Sequence, residues 1–316
     1  LSTDLFTFGE ALSVFISTDT DSVMSAKTFE RVTAGAEVNV AVAISRLGLK
    51  SQYFSRFGND QLGSVMLADI AAEGVDVSLA KRVSSYTGAM VRNPGKSAPV
   101  ELSYLRKGSA ASTIEPADIL DSYISSARWL HTTGITCAIS TSGANTVKEA
   151  LEKADAMKIK SSFDLNIRRK LWSEEDARKV LQPLAKNVDL LIGGEDEYQA
   201  VFGLSEPEKV LAEANKRGCK IAVMTKGDQK MRYSIDGNYG EITPPKVVAV
   251  DPVGSGDAFT GGVIAGLLTG MSAEQALEQG SICGALVASM FGDWTGIPKG
   301  VAGKVNNEVA QKVRGK

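Results

Sequence analysis

The chain predicts a doubly wound α/β fold with a mostly parallel sheet and a small β-structured lid. Three observations carry that expectation. Short apolar runs alternate with longer helix-patterned stretches along almost all of the 316 residues. Polar and glycine residues cluster where the runs end, at the sheet edge where parallel α/β folds bind ligands. Two segments, 12–33 and 86–107, break the rhythm with polar–apolar alternation, the pattern of strands with one face exposed.

In chain order, "LFTFGE" reads as the first strand, and "NVAVAISRLGL" (39–49) as a helix with a glycine stop. "SQYFSRFG" follows as a strand and "QLGSVMLADIAAEGV" as a helix ending at Gly74. "ARWLHTTGI", "IKSSFDLN", "VDLLIGG" and "KIAVMTKG" are strands. Between them lie the helices "SGANTVKEALEKADAMK", "SEEDARKVLQPLAKN" and "EPEKVLAEANKRG". Ser173, three residues before Asp176, has the placing of a helix cap. "DAFTGGVIAGLLTG" and "AEQALEQGSICGALVASMFG" close the fold as helices. No repeat, linker or low-complexity tract interrupts the chain, so one domain is expected over 1–316, with 12–33 and 86–107 inserted as lid segments.

Composition narrows the chemistry. A net charge of −2 without long basic runs argues against nucleic acid as the main partner. No uninterrupted apolar run is long enough to span a membrane, and "LSTDLFTFGEALSVFI" lacks a secretory pattern. Three scattered cysteines suit a reducing compartment, and a cytoplasmic protein is expected. The single histidine, His131, cannot build a His-based zinc site, and no G-x-S-x-G elbow supports a hydrolase. His131 is expected to be a hydrogen-bonded structural residue.

The stretch "DPVGSGDAFTGGVIAGLL" (251–268) asks why glycines and an internal acid open an apolar helix. It is no dinucleotide fingerprint, because Phe259 stands where the third glycine belongs. It is no Walker loop, and the lookalike "NPGKS" (93–97) has Met90 in place of the first glycine. A glycine turn feeding a helix leaves N–H groups free to hold an anion. Asp257 within that turn is either a helix cap or a base beside an anion hole. The second arrangement is what phosphoryl transfer to a hydroxyl needs.

These residues resemble a family, the ribokinase-like (phosphofructokinase-B type) sugar kinases. "DPVGSGDAFTGGVIAGL" matches the C-terminal signature and "AGAEVNVAVAISRLGLKSQYFSRFGNDQLG" (34–63) the N-terminal one. "GAEVNVAVA", "YLRKGSAAS", "GIT", "DLNIRRKLWSEEDAR" and "GDWTGIP" are most similar to the 2-keto-3-deoxygluconate kinases, and fructokinases share many of them.

The resemblance implies that Asp257 is the base and that the amides of Gly254, Ser255, Gly256 and Asp257 form the anion hole. It places Gly35, Asn39, Tyr104, Arg106, Ile135, Arg168 and Asp293 at the sugar, the arginines receiving an acid end. It places Gly194, Glu197, Thr225, Lys226 and Gly227 on the ATP side, with Mg2+ entering alongside the nucleotide. The chain departs from the family at Gly194, where an asparagine is usual, and at Lys230, where many members have glycine. The residue after Asp251 is proline where many members have threonine, and no metal ligand is assigned. A homo-oligomer is implied. The alternatives are a kinase of neutral sugars and a non-catalytic sugar or nucleotide sensor.

Overall fold

The computed structural model describes residues 3–95, 100–300 and 304–305. Eight strands form the main sheet. From one edge they run Ser51–Phe54, Thr3–Phe8, Ala127–Thr133, Lys160–Asp164, Leu190–Gly194, Ile221–Thr225, Met231–Ile235 and Asn238–Ile242. The first six pair in parallel and the last two form an antiparallel edge hairpin. The chain winds outward from Thr3–Phe8 in both directions. That strand and Ala127–Thr133 flank the point where the winding reverses, the usual place for a ligand crevice.

The strands are apolar runs because both faces are covered. Leu5, Trp129 and Leu190 pack on one face, with helices Ala36–Arg46, Ser255–Leu268 and Ala273–Ala288. Their neighbours Phe6, Leu130 and Leu191 pack on the other, with Thr141–Met157, Glu174–Leu184, Glu195–Phe202 and Pro207–Lys216. Consecutive side chains pointing to opposite faces are the period-2 signature of a strand. The glycines inside Ser255–Leu268 serve this packing: a Cβ on Gly262 would lie 2.9 Å from Gly280 Cα.

The two segments that broke the rhythm join in one four-stranded sheet, ordered Phe29–Ala34, Leu12–Ser17, Ala89–Arg92, Leu102–Leu105. Its inner face carries Leu12, Val14, Ile16, Ala34 and Met90, all buried. The 93–97 lookalike starts in its hairpin: Asn93 donates to and accepts from the Glu101 backbone, and Lys96 and Ser97 lie outside the described residues.

Several boundaries differ from expectation. "SQYFSRFG" splits at Ser55, and Arg56–Gly58 pairs with Lys81–Val83 instead. "ARWLHTTGI" leaves the strand at Thr133, whose hydroxyl caps the Ile135 N–H at 3.1 Å and starts the short helix Gly134–Ile139. His131 sits inside that strand, fully buried, with Nδ1 2.8 Å from Ser162 Oγ, and burial pushes its pKa down to about 3. Among the described residues no helix is long and apolar enough to cross a membrane.

Candidate active site

A cavity of about 620 Å³ opens between the carboxyl ends of the main strands and the inner face of the small sheet. Asp257 enters it from the first turn of helix Ser255–Leu268, whose N-cap Gly254 is left-handed at φ 81°. A side chain at Gly254 would also place its Cβ 2.5 Å from the Asp293 carbonyl oxygen. Glycine is therefore required there twice over, by dihedral and by close approach.

Ser255 corrects the expected anion hole. Its N–H donates to the Pro252 carbonyl at 3.2 Å, and the residue does not line the cavity. Among the described residues the N–H groups of Gly254, Gly256 and Asp257 have no protein acceptor, so the turn offers three amides rather than four.

Asn39, on helix Ala36–Arg46, donates its Nδ2 to Asp257 Oδ2 at 2.7 Å and to Asp293 Oδ2 at 3.2 Å. Burial pushes Asp257 up to about 7, against the lowering influence of the Asn39 hydrogen bond and the Arg168 charge. Burial likewise pushes Asp293 up to about 6, with Arg92 and Asn39 opposing. A carboxylate poised near neutrality suits proton abstraction.

Gly35, Tyr104, Arg106, Ile135 and Arg168 also line the cavity. Gly35 has no room for a side chain, since its Cβ would lie 2.4 Å from the Glu10 carbonyl oxygen. Arg106 is already engaged. Its Nε and Nη2 meet the Glu10 carboxylate at 2.6 and 2.5 Å, and its guanidinium lies 5.0 Å from the Tyr104 ring centroid. Ser109 Oγ donates to the second Glu10 oxygen. Arg168 differs: it is exposed at the cavity wall, and among the described residues its guanidinium has no hydrogen-bond or ion-pair partner. Its charge lowers Asp257, Asp164 and Glu197 alike, which places it near all three.

Gly194, Glu197 and Thr225 line the cavity as well, whereas Lys226 and Gly227 do not. Lys226 pairs with Glu195 at 2.7 Å, and Gly227 is left-handed in the open loop beyond its strand. Lys230 is drawn away to Glu241 at 2.6 Å. Glu197 is fully employed: Oε1 accepts the Ile167 N–H at 2.6 Å and Oε2 the Gly194 N–H at 2.8 Å.

Two acids not singled out from the sequence belong to the site. Glu10 anchors Arg106. Asp164 lines the cavity, and burial together with the Glu197 and Asp257 charges raises its pKa well above the ordinary range. Both stood in clusters at predicted strand ends, which was the available signal.

A doubly wound sheet and an N–H-rich turn beside a buried carboxyl fit a kinase of small molecules. The comparisons give the family. Residues 2–300 match the pfkB family carbohydrate kinases, and the chain belongs to that family. It is 32% identical over 299 residues to the 2-dehydro-3-deoxygluconokinase of Bacillus subtilis (strain 168), covering 93% of this chain and 92% of that one. It is 31% identical over 296 residues to the 2-dehydro-3-deoxygalactonokinase of Haloferax volcanii, covering 93% of each. The crystal structure of a PfkB protein from Polaromonas sp. JS666 superposes with a TM-score of 0.86 at 33% identity, over 94% of this chain and 97% of that one.

Proposed function

We propose that the protein transfers the γ-phosphoryl group of ATP to the terminal hydroxyl of 2-keto-3-deoxygluconate (2-dehydro-3-deoxygluconate). One observation carries the choice of a sugar acid: the unpaired Arg168 guanidinium in the cavity that holds Asp257. A planar guanidinium grips a carboxylate through paired N–H donors, and a neutral hexose makes no such demand. Arg106, with its Nε–Nη2 edge on Glu10, supports the same end of the sugar together with Tyr104, while Gly35, Ile135 and Asp293 shape the pocket.

Asp257 takes the proton of the terminal hydroxyl as its oxygen attacks the γ-phosphorus in line; the bond to the bridging oxygen breaks and ADP leaves. The N–H groups of Gly254, Gly256 and Asp257 hold the negative charge of the moving phosphoryl. Asn39 fixes the base and keeps it ionisable. ATP lies on the side of Gly194, Glu197 and Thr225, with Lys226 and Gly227 at the rim. Its Mg2+ enters as part of the nucleotide substrate, where it neutralises the charge of the ATP phosphates.

The chain acts as one kinase domain whose segments 12–33 and 86–107 close over the sugar and exclude water. The outer face of that lid exposes Leu105 (57%) and Phe29 (39%) on its two edge strands, and a homo-oligomer formed lid to lid would cover them. Three free buried cysteines fit a cytoplasmic enzyme.

ADP release with Mg·ATP, measured for 2-keto-3-deoxygluconate, its galactonate-derived epimer, fructose and ribose, tests the reading. A large preference for the sugar acids, lost in Asp257→Asn, supports it. Preference for fructose or ribose overturns the acid-end assignment and leaves the kinase. Ligand-induced thermal stabilisation without turnover indicates a sensor.

A further inference from the structure

Two buried ion pairs fasten the lid to the main body. Arg106–Glu10 lies at the sugar. Arg92–Asp251 lies beside the anion-binding turn, and neither of its side chains lines the cavity. Arg92 ends the lid strand Ala89–Arg92, and its Nη2 lies 2.5 Å from Asp251 Oδ2, with exposures of 1% and 0%. The second oxygen of Asp251 accepts the Val253 N–H at 3.2 Å, immediately before Gly254. The Asp251 N–H donates to the Ala288 carbonyl at the end of helix Ala273–Ala288. Both carboxylate oxygens thus have partners, one on the lid and one in the turn.

Among the other polar tethers of the lid, Thr87 at its foot accepts the Gly58 N–H at 2.9 Å and donates to the Asp60 carboxylate, away from the turn. Arg31–Asp69 is partly exposed, and Lys170 Nζ reaches the Leu102 carbonyl at the surface. Exposed pairs hold geometry poorly, because solvent competes for both charges. A buried pair has no such competitor, and neither partner can leave without stranding the other.

We infer that Arg92 and Asp251 are positioning residues for phosphoryl transfer. The seated lid, through this pair, sets the Val253–Gly254 turn so that its free amides face the phosphoryl group beside Asp257. The inference rests on the proposed phosphoryl transfer, but not on which sugar is the acceptor. It is specific about kinetics: sugar contacts come from other residues, so turnover depends on the pair and sugar binding does not.

The test uses the full chain with Mg·ATP and whichever sugar the wild type turns over fastest. Arg92→Met, Arg92→Lys, Asp251→Asn and the double variant Arg92→Met/Asp251→Asn are compared, with circular dichroism confirming folding. Displacing the turn by about an ångström is expected to lower kcat roughly 100-fold in either single neutral variant, with sugar KM little changed. Arg92→Lys recovers part of the loss, and the double variant is no slower than the slower single. If Arg92→Met does not fold, the double variant, which strands no charge, carries the test.

A folded Arg92→Met or double variant with wild-type kcat overturns the inference, as does a double variant whose losses multiply. A wild type that prefers a neutral sugar overturns the sugar-acid reading alone, and the comparison then runs on that sugar.

Discussion

The side-chain amide of Asn39 donates to Asp257 Oδ2 at 2.7 Å and to Asp293 Oδ2 at 3.2 Å, so one buried group serves two buried carboxyls. Each donated N–H favours the ionised form, opposing the burial that raises both acids. Asn39→Leu removes that support and moves Asp257 further above 7. The acid limb of the kcat/KM profile is expected near pH 7 in the wild type, with activity rising as Asp257 ionises. In Asn39→Leu the limb moves to higher pH, which a pH–rate profile reads directly.

Asp257→Asn separates chemistry from stability. Loss of a general base costs about 100- to 10,000-fold in kcat, with sugar and ATP binding retained. Stability moves the other way. The folded state holds the Asp257 proton up to about pH 7, against 3.8 for a free aspartate side chain. Its contribution is therefore full below about pH 4 and lost as pH rises through 7. An asparagine has no proton to lose, so Asp257→Asn should gain on the wild type by a few kcal/mol between pH 5 and pH 8. Paired thermal melts at the two pH values check this.

Arg168 and Arg106 are predicted to differ although both are arginines of one cavity. Arg168→Met removes an exposed, unpaired cation, so the fold stands. It loses a charge-assisted contact, about 10- to 100-fold in kcat/KM for the sugar acid, with fructose use unchanged. Because its charge also lowers Asp257, the acid limb moves to higher pH. Arg106→Met instead strands the Glu10 carboxylate, which is wholly buried. A loss of about 3–5 kcal/mol in stability is expected, seen in melts before kinetics are compared.

These contrasts mark what the sequence could show. Strands were legible because burial on both faces makes them apolar runs, and Asp257 because its glycine turn is contiguous with it. The edge hairpin Met231–Ile242 was missed although Asp236-Gly237, both left-handed, is a hairpin turn signal. Helix Glu195–Phe202 is too short for a clear period. Glu10 and Arg106 are 96 residues apart, and Arg92 and Asp251 159 apart. No local pattern announces such partners. A buried pair exists in the sequence only as two ordinary charges until the sheets bring them together.

The glycine turn itself gives the last prediction, through two glycines with opposite surroundings. At Gly254 an alanine meets both φ 81° and the Asp293 backbone, at 2.5 Å from its oxygen and 2.8 Å from its Cα. The left-handed dihedral alone costs about 1–2 kcal/mol, and relieving the contact shifts Asp293, which shares Asn39 with Asp257. Gly254→Ala should lower both the melting temperature and kcat. Gly256 has ordinary helical neighbours, and a Cβ there touches nothing within 4 Å. Gly256→Ala should stabilise the helix by about 0.5–1 kcal/mol. Yet Gly256 lines the cavity, and in the proposed phosphoryl transfer the space its methyl would take is where a phosphoryl oxygen approaches the backbone. A variant more stable than wild type and slower with ATP would show that this glycine serves the ligand. One equally fast would show that the ligand does not occupy the space beside Gly256.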